Sequence, residues 1–372
     1  MGKHPIIAAG HICLDITPVF PGKKKVMKVD ELLVPGKLVE MNAASVHTGG
    51  SVANTGLALK LLGNDVTLLG KVGDDAFGAM IAEILARYGA GGLIVDKEST
   101  TSYSVVLALP GIDRMFLHHP GANNTFSASD VPEEALEQAA LFHFGYPPLM
   151  KRIYANNGEE LKQIMRRAKE KGLVTSLDMA AVDANGEGGR VDWEQLLKNV
   201  LPYVDFFVPS FEELCFMLDK PLFHQLTSSG EDCTDGLDTE RYAMPLAEKC
   251  LEMGCAVAMV KCGLSGLVWK TADTRRIENA GQKWQTDRTL WADRSGHQAC
   301  YQAEIVRSST GAGDVTIAAW LTAALNGESP DECARLAAAE GAASVTSYDA
   351  LGGVMTLEQL KKRLDDGWKT HG

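Results

Sequence analysis

The segment Ser309-Thr310-Gly311-Ala312-Gly313-Asp314 runs directly into the apolar stretch Val315-Thr316-Ile317-Ala318-Ala319-Trp320-Leu321. Two glycines separated by one small residue let the backbone turn tightly, so successive N–H groups point one way. A helix starting there adds its own unpaired N–H groups and the positive end of its dipole. Such a nest suits the negative charge that builds on a phosphoryl group during transfer. Asp314, in the first helical turn, is positioned to take a proton from an incoming hydroxyl. Read alone, the same residues also fit a plain glycine turn with an acid at a helix start.

A second candidate is His47-Thr48-Gly49-Gly50-Ser51-Val52-Ala53-Asn54. Paired glycines before a helix allow close backbone approach to a ligand, and Asn54 offers both a donor and an acceptor from the first turn. A Gly-Gly turn with a buried Asn fits the same residues. Asp15 is expected at the carboxyl end of the first strand, where open α/β sheets bind ligands. It also fits a loop carboxylate capping a local turn.

These residues need elements to hold them. Ile6–Ile12 reads as a buried strand, and scattered valines and leucines between Lys23 and Val46 suggest short strands. Ser51–Leu62 and Ala76–Tyr88 have helical spacing, with the strand Asp65–Val72 between them. Thr101–Leu109 and Met115–His118 form a hairpin around Pro110-Gly111-Ile112-Asp113-Arg114. Beyond Asn124 the alternation is regular. Strands are expected at Leu141–Phe144, Val174–Asp178, Phe206–Val208 and Ala256–Lys261. Helices are expected at Gly158–Lys171, Trp193–Asn199, Phe211–Leu218 and Tyr242–Met253. Lys220–Glu240 reads as a long polar surface loop, residues 264–306 as a β-rich excursion, and everything from Gly311 as helical. Strands alternating with helices at this interval mean βαβ units and a doubly wound, mostly parallel sheet. Two extended insertions, 15–45 and 100–122, lie outside the alternation and are expected to pair into a small β lid. The core then comprises 1–14, 46–99 and 123–372.

The 372 residues suffice for a sizeable core, and 45% apolar with 23% charged residues is an ordinary globular balance. A formal net charge of −12 argues against a nucleic-acid partner, which needs a basic face. The cluster Lys23-Lys24-Lys25 reads as a solvated loop. No apolar run is long enough to span a membrane, and the N-terminus lacks a signal-peptide pattern, so a cytoplasmic location is expected. Eight cysteines without Cys-x-x-Cys spacing read as reduced thiols, not a metal site. There is no Gly-x-x-x-x-Gly-Lys loop and no Gly-x-Gly-x-x-Gly after the first strand, which disfavours P-loop and dinucleotide-binding folds. His118-His119 lacks the helical spacing of a zinc pair and falls in the lid hairpin, where its functional reading is contact with the acceptor. The tryptophans at 269, 284, 291 and 320 read as packing residues.

In order along the chain, Asp15, Gly49-Gly50 with Asn54, Gly70 through Gly78, Gly121-Ala122-Asn123 and Thr310-Gly311-Ala312-Gly313-Asp314 resemble the ribokinase-like (PfkB-type) carbohydrate kinases over nearly the whole sequence. The resemblance implies a ribokinase-like fold and ATP-dependent phosphorylation of a sugar hydroxyl. It implies that Asp15, Gly49, Gly50 and Asn54 bind the acceptor. Gly311, Ala312 and Gly313 would form the anion hole, with Asp314 the base. Lys261, Gly263, Gly266 and Thr310 would meet the nucleotide, and Glu213 would organise Mg²⁺ and phosphate. Family members often dimerise through lid strands, which makes a homodimer through the lid one form the resemblance allows and leaves the oligomeric state open.

Three departures qualify the match. Ser210 replaces the Asn of the family's Asn-x-x-Glu. Ser308-Ser309-Thr310 replaces Asp-Thr-Thr, which removes an acid tied to a monovalent cation, so a weak K⁺ response is expected. His143-Phe144-Gly145-Tyr146 stands where many sugar kinases carry a Glu. Two alternatives stay open. One is a nucleoside kinase of the same family, using Phe20, Tyr103 and Phe116 of the lid. The other is a catalytically silent sugar- or nucleotide-binding regulator.

Overall fold

Side chains alternate across a strand, and the first strand shows what that requires. In β1 (Pro5–Gly10), Ile6 and Ala8 enter one apolar cluster while Ile7 and Ala9 enter another. Both faces are therefore covered, as a parallel sheet demands. The structure is a computed structural model and describes residues 3–22, 25–112, 114–228, 232–347 and 349–371. Lys23, Lys24 and the hairpin's Asp113 lie outside the described residues.

The remaining strands are β2 (Cys13–Val19), β3 (Asn42–Gly49), β4 (Asp65–Gly73), β5 (Ile94–Asp96), β6 (Tyr103–Leu107), β7 (Met115–His119), β8 (Leu141–Gly145), β9 (Val174–Leu177), β10 (Phe206–Phe207), β11 (Val257–Lys261), β12 (Leu267–Thr271) and β13 (Ser295–Gln298). Nine of them form the main sheet in the order β13-β12-β11-β10-β9-β8-β1-β4-β5, parallel except at β12 and β13. The other four form a separate sheet ordered β3-β2-β6-β7. The expected doubly wound sheet with a small β lid is what the chain builds.

One face of the main sheet carries the helices Ser51–Leu61, Ala312–Leu325 and Pro330–Ser344. The other carries Lys151–Glu170, Trp193–Val200, Phe211–Leu218 and Thr239–Glu252. In Ala312–Leu325 every residue from Asp314 onward is buried. Its small side chains let neighbouring helices approach closely. A Cβ on Gly341 of the next helix would sit 2.5 Å from Thr316 Oγ1.

Four expectations need correction. The first strand stops at Gly10 and does not reach Ile12. Gly10 has φ +123°, and a Cβ there would overlap the Gly145 carbonyl, so the chain can turn out of the sheet only with glycine at this point. Asp15 consequently lies within lid strand β2, not at the end of a core strand. Lys220–Glu240 is not all loop. Asp219 caps a helix at Lys220–Thr227 by accepting from Leu222 N at 3.0 Å, and Pro221 in its first turn suits a helix start. Finally, residues 264–306 hold only two strands, with a short helix at Thr274–Glu278 and irregular chain around them.

A buried carboxylate ties the sheet's middle together. Asp205, with no exposure, accepts from Thr175 N at 3.1 Å and Gly281 N at 3.0 Å, and pairs with Arg276 at 3.2 Å and with Lys169. Removing it leaves two partly buried cations and two N–H groups without their partner. Asp205→Ala should therefore cost about 3–5 kcal/mol in urea unfolding. A loss below about 1 kcal/mol would show that solvent compensates the cations fully.

Candidate active site

The strand order reverses around β1, which lies between β4 and β8. The crevice outside the carboxyl ends at such a point is where open α/β sheets take ligands. Here that edge carries His11 after β1, Tyr146 after β8, Asp178 after β9, Ser210 after β10 and Lys261 ending β11.

Asp314 is the centre of this edge. Its Oδ1 accepts from Thr55 Oγ1 at 2.7 Å, and its Oδ2 accepts from Asn54 Nδ2 at 3.2 Å and from the Tyr146 hydroxyl at 2.7 Å. A carboxylate offers about four lone-pair sites, so these three donors fix its orientation and leave room for one more hydrogen. Tyr146 reaches it through a left-handed backbone, φ +65°, which bulky residues adopt only when the surroundings impose it. Burial first, then Asp314, pushes the Tyr146 hydroxyl well above its ordinary range, so it stays a donor.

The glycine pair before Asn54 has separate tasks. A Cβ on Gly49 would run into the Asp15 carboxylate. Gly50 has φ +85°, and a Cβ there would lie 2.5 Å from the His11 carbonyl. Asp15 also accepts from Cys13 Sγ at 3.3 Å, and burial raises its carboxyl. Asp15 and Asn54 line a cleft of about 910 Å³ between lid and core, together with Thr310. Across that cleft, Arg114 of the lid donates to Ser309 Oγ at 3.0 Å.

Gly311 has φ +75° and precedes the helix Ala312–Leu325. Ala312 N donates to Ser309 O at 3.2 Å, so its N–H is already engaged. Gly313 faces Lys261, whose Nζ would be 3.5 Å from a Cβ at that position. Lys261, at the end of β11, is largely shielded from solvent. It pairs with Asp178 at 2.9 Å, and although burial opposes its charge, Asp178 and Glu213 raise its pKa. Burial raises the Asp178 carboxyl, and the charge of Lys261 beside it pulls it back down. Glu213 closes a capping box, accepting from Ser210 N at 2.7 Å while Ser210 Oγ accepts from Glu213 N at 3.3 Å. Gly263 (φ +55°) and Gly266 (φ +86°) bound the turn after β11, packed on Thr234 and on the Gln298 carbonyl.

Sequence reasoning missed Thr55, Tyr146 and Asp178. Asp178 carried a signal, since an acid closing a buried strand must sit at the carboxyl edge. Tyr146 carried a weaker one, in following Gly145 at the end of β8. Thr55 had none.

A scan against family models matches residues 24–356 to the pfkB family carbohydrate kinase model. The chain belongs to the pfkB carbohydrate kinase family. Its similarity to curated fructokinases is partial: 29% identity over 181 residues to fructokinase-1 of Zea mays, which is 48% of this chain and 51% of that protein. Fructokinase of Solanum tuberosum is 30% identical over 177 residues, 46% of this chain and 50% of that one. The chain thus spans about half the length of the curated relatives it matches. Among solved structures, a fructokinase with bound ATP from Xylella fastidiosa superposes with a TM-score of 0.70 at 20% identity, covering 98% of this chain and 99% of that one. Arabidopsis thaliana ribokinase complexed with ribose and ATP gives 0.68 at 21% identity, covering 98% and 99%. At these identities the superpositions establish the fold.

Buried neutral imidazoles surround the site, and they set an acid limit on stability. Burial, then Lys261, lowers His143 to about 3, where its ring nitrogens meet Ser51 at 3.3 Å and Ser176 at 3.0 Å. Burial also lowers His11 and His118. Each takes up a proton on unfolding once the pH falls below the unfolded value of about 6.5, so stability is complete above that pH and declines below it. His143→Gln should flatten the decline between pH 6.5 and 5 by up to about 1.4 kcal/mol per pH unit. Urea unfolding at a series of pH values reads the slope, and an unchanged slope would mean that His143 is already protonated in the fold.

Proposed function

We propose that this chain transfers the γ-phosphoryl group of ATP to a hydroxyl of a sugar or sugar-like acceptor, with Asp314 as general base. The observation that carries the reading is the oriented Asp314 carboxylate, in the first turn of a buried helix behind the left-handed Gly311. Asp314 takes the proton of the acceptor hydroxyl as its oxygen attacks the γ-phosphorus and the bond to the ADP oxygen breaks. Asp15, Asn54 and the backbone at Gly49 and Gly50 hold the other hydroxyls. The N–H groups of Gly311, Gly313 and Asp314 receive the transferring charge, with Ala312 keeping the turn through its bond to Ser309. Lys261 adds a positive charge beside Gly313. Gly263, Gly266 and Thr310 hold the nucleotide.

Among the described residues, no three His, Cys, Asp or Glu side chains gather closely enough to cage a metal. Mg²⁺ fits such a site, because it binds through one or two carboxylates plus phosphates and water. Glu213 and Asp178 supply the carboxylates here, and a bound Mg²⁺ would neutralise phosphate charge. The lid sheet has two free edges, β3 and β7, that suit pairing with a second copy. Among the described residues no helix is long and apolar enough to cross a membrane.

A coupled ADP-release assay over a panel of sugars and nucleosides tests the reading, and a preference for nucleosides would replace it. Asp314→Asn keeps size and most hydrogen bonding but removes the base. Its kcat should fall roughly 10²–10⁴-fold with nucleotide affinity little changed. Retention of more than about a tenth of wild-type kcat would exclude Asp314 as base. Ser308 gives no charge to a cation site, and its Oγ accepts from Thr310 N at 3.2 Å. Replacing Na⁺ by K⁺ should therefore change the rate by less than about tenfold, the effect of about 1.4 kcal/mol. A larger rise would reveal a cation site built from other groups.

A further inference from the structure

The register of the lid sheet lines up one residue from each strand. His47 of β3 stands opposite Asp15 of β2, Asp15 opposite Ser104 of β6, and Ser104 opposite His118 of β7. Residues in register share a face, so this is a polar row across the underside of the lid. Asp15 and His47 at one end line the cleft. In the next row out, Thr17, Val106 and Phe116 also line it. At the row's far end stand Ser104 and His118.

At that end the chemistry is incomplete. Ser104 Oγ meets His118 Nδ1 at 3.0 Å, but among the described residues His118 Nε2 is buried with no hydrogen-bond partner. Facing it at 5.2 Å between ring centroids is His11, only 1% exposed, with neither ring nitrogen partnered. His11 lies against Gly50 on one side and 6.2 Å from the ring of Tyr146, whose hydroxyl holds Asp314. Among the described residues three buried ring nitrogens thus lack partners, beside the side chains that surround Asp314. Buried polar groups are rarely left so, because each unmade hydrogen bond is costly.

We infer that the facing imidazoles of His11 and His118, with Ser104 behind them, form an additional acceptor subsite that binds a sugar hydroxyl other than the one phosphorylated. The inference rests on reading the chain as a sugar kinase. It assigns specificity to groups outside the Asp15, Gly49, Gly50 and Asn54 set. A neutral imidazole carries one N–H and one bare nitrogen, and both rings are held neutral by burial. A hydroxyl both donates and accepts, so a single hydroxyl can satisfy one nitrogen of each ring. A carboxylate or phosphate only accepts, and it would meet Asp15 in the same row. A subsite of this kind rejects an acceptor that lacks the hydroxyl, because the nitrogens are then left unpaired.

Two substitutions at one position separate this role from packing. Asn at 118 keeps a polar atom near Nδ1, for Ser104, and loses the one at Nε2. Gln keeps a polar atom near Nε2. Initial rates of ADP release are measured for the full chain with D-fructose, D-ribose and their monodeoxy analogues. His118→Asn should raise the KM of the preferred sugar by roughly tenfold with kcat nearly unchanged, and His118→Gln should recover most of the loss. One deoxy analogue should be poor for the wild type yet no poorer than its parent sugar for His118→Asn, as coupling between two partners requires. His11→Asn should raise the same KM, which keeps the test decisive if one variant at 118 fails to fold. A wild type that phosphorylates a sugar while His118→Asn and His11→Asn leave its KM unchanged would overturn the subsite alone. A wild type that releases ADP with no sugar would overturn the proposed function, and the subsite with it.

Discussion

Everything in this site depends on a carboxylate held by donors that the chain must bring from far away. Asp314 is bonded by Asn54 and Thr55, some 260 residues earlier, and by Tyr146, 168 residues earlier. A charged group with so little exposure is stable only when its acceptor capacity is met. The fold therefore has to complete three separate packing events before the site exists. The helix Ser51–Leu61 must lie against Ala312–Leu325, the strand β8 must end at Gly145, and Tyr146 must adopt a left-handed turn. The alanine-rich helix serves the first of these, since small side chains permit close approach.

The charges at the carboxyl edge are arranged by the same logic on its two sides. On one side the lid brings Asp15 and a row of polar groups in register with it. On the other the core brings Lys261, with Asp178 holding its ammonium beside Gly313. A buried lysine without a partner would tend to lose its proton, whereas paired it keeps its charge. Asp178 thus fixes where that charge stands, and a buried ion pair of this kind adds little to stability.

The lid is built into the chain's topology. The crossing from β1 to β2 is fastened by Asn123, whose side-chain amide accepts from Ile12 N at 3.1 Å and donates to Ile12 O at 2.9 Å. Asp75 accepts from Thr101 N at 2.7 Å where the chain enters the lid a second time. Both fastenings sit at the roots of the lid, while the Arg114–Ser309 contact lies far out along it. Such an arrangement defines where a lid would bend, because the roots are fixed by buried and part-buried hydrogen bonds while the Arg114–Ser309 contact at the rim is exposed.

The local rules of the sequence determined a good deal. Period-two and period-3.6 patterns, with glycines at the required turns, marked the alternating elements and the two lid insertions. The Gly-Ala-Gly-Asp and Gly-Gly starts marked the two helix ends that meet at the base. These features are legible because each is set by neighbours a few residues apart. What the tertiary structure decided has no such local cause. Asp15 lies inside a lid strand, not at the end of the first core strand, because Gly10 turns the chain out of the sheet against the carbonyl of Gly145, a strand neighbour 135 residues away. The helix at Lys220–Thr227 follows from the Asp219 cap and from packing of Leu222, Phe223 and Leu226 on the core, in a stretch whose polar composition suggested a loop. Tyr146, Thr55, Asp178 and the His11–His118 pair are brought to this edge only through strand order and register, because hydrogen-bond partners are chosen by distance in space and not along the chain.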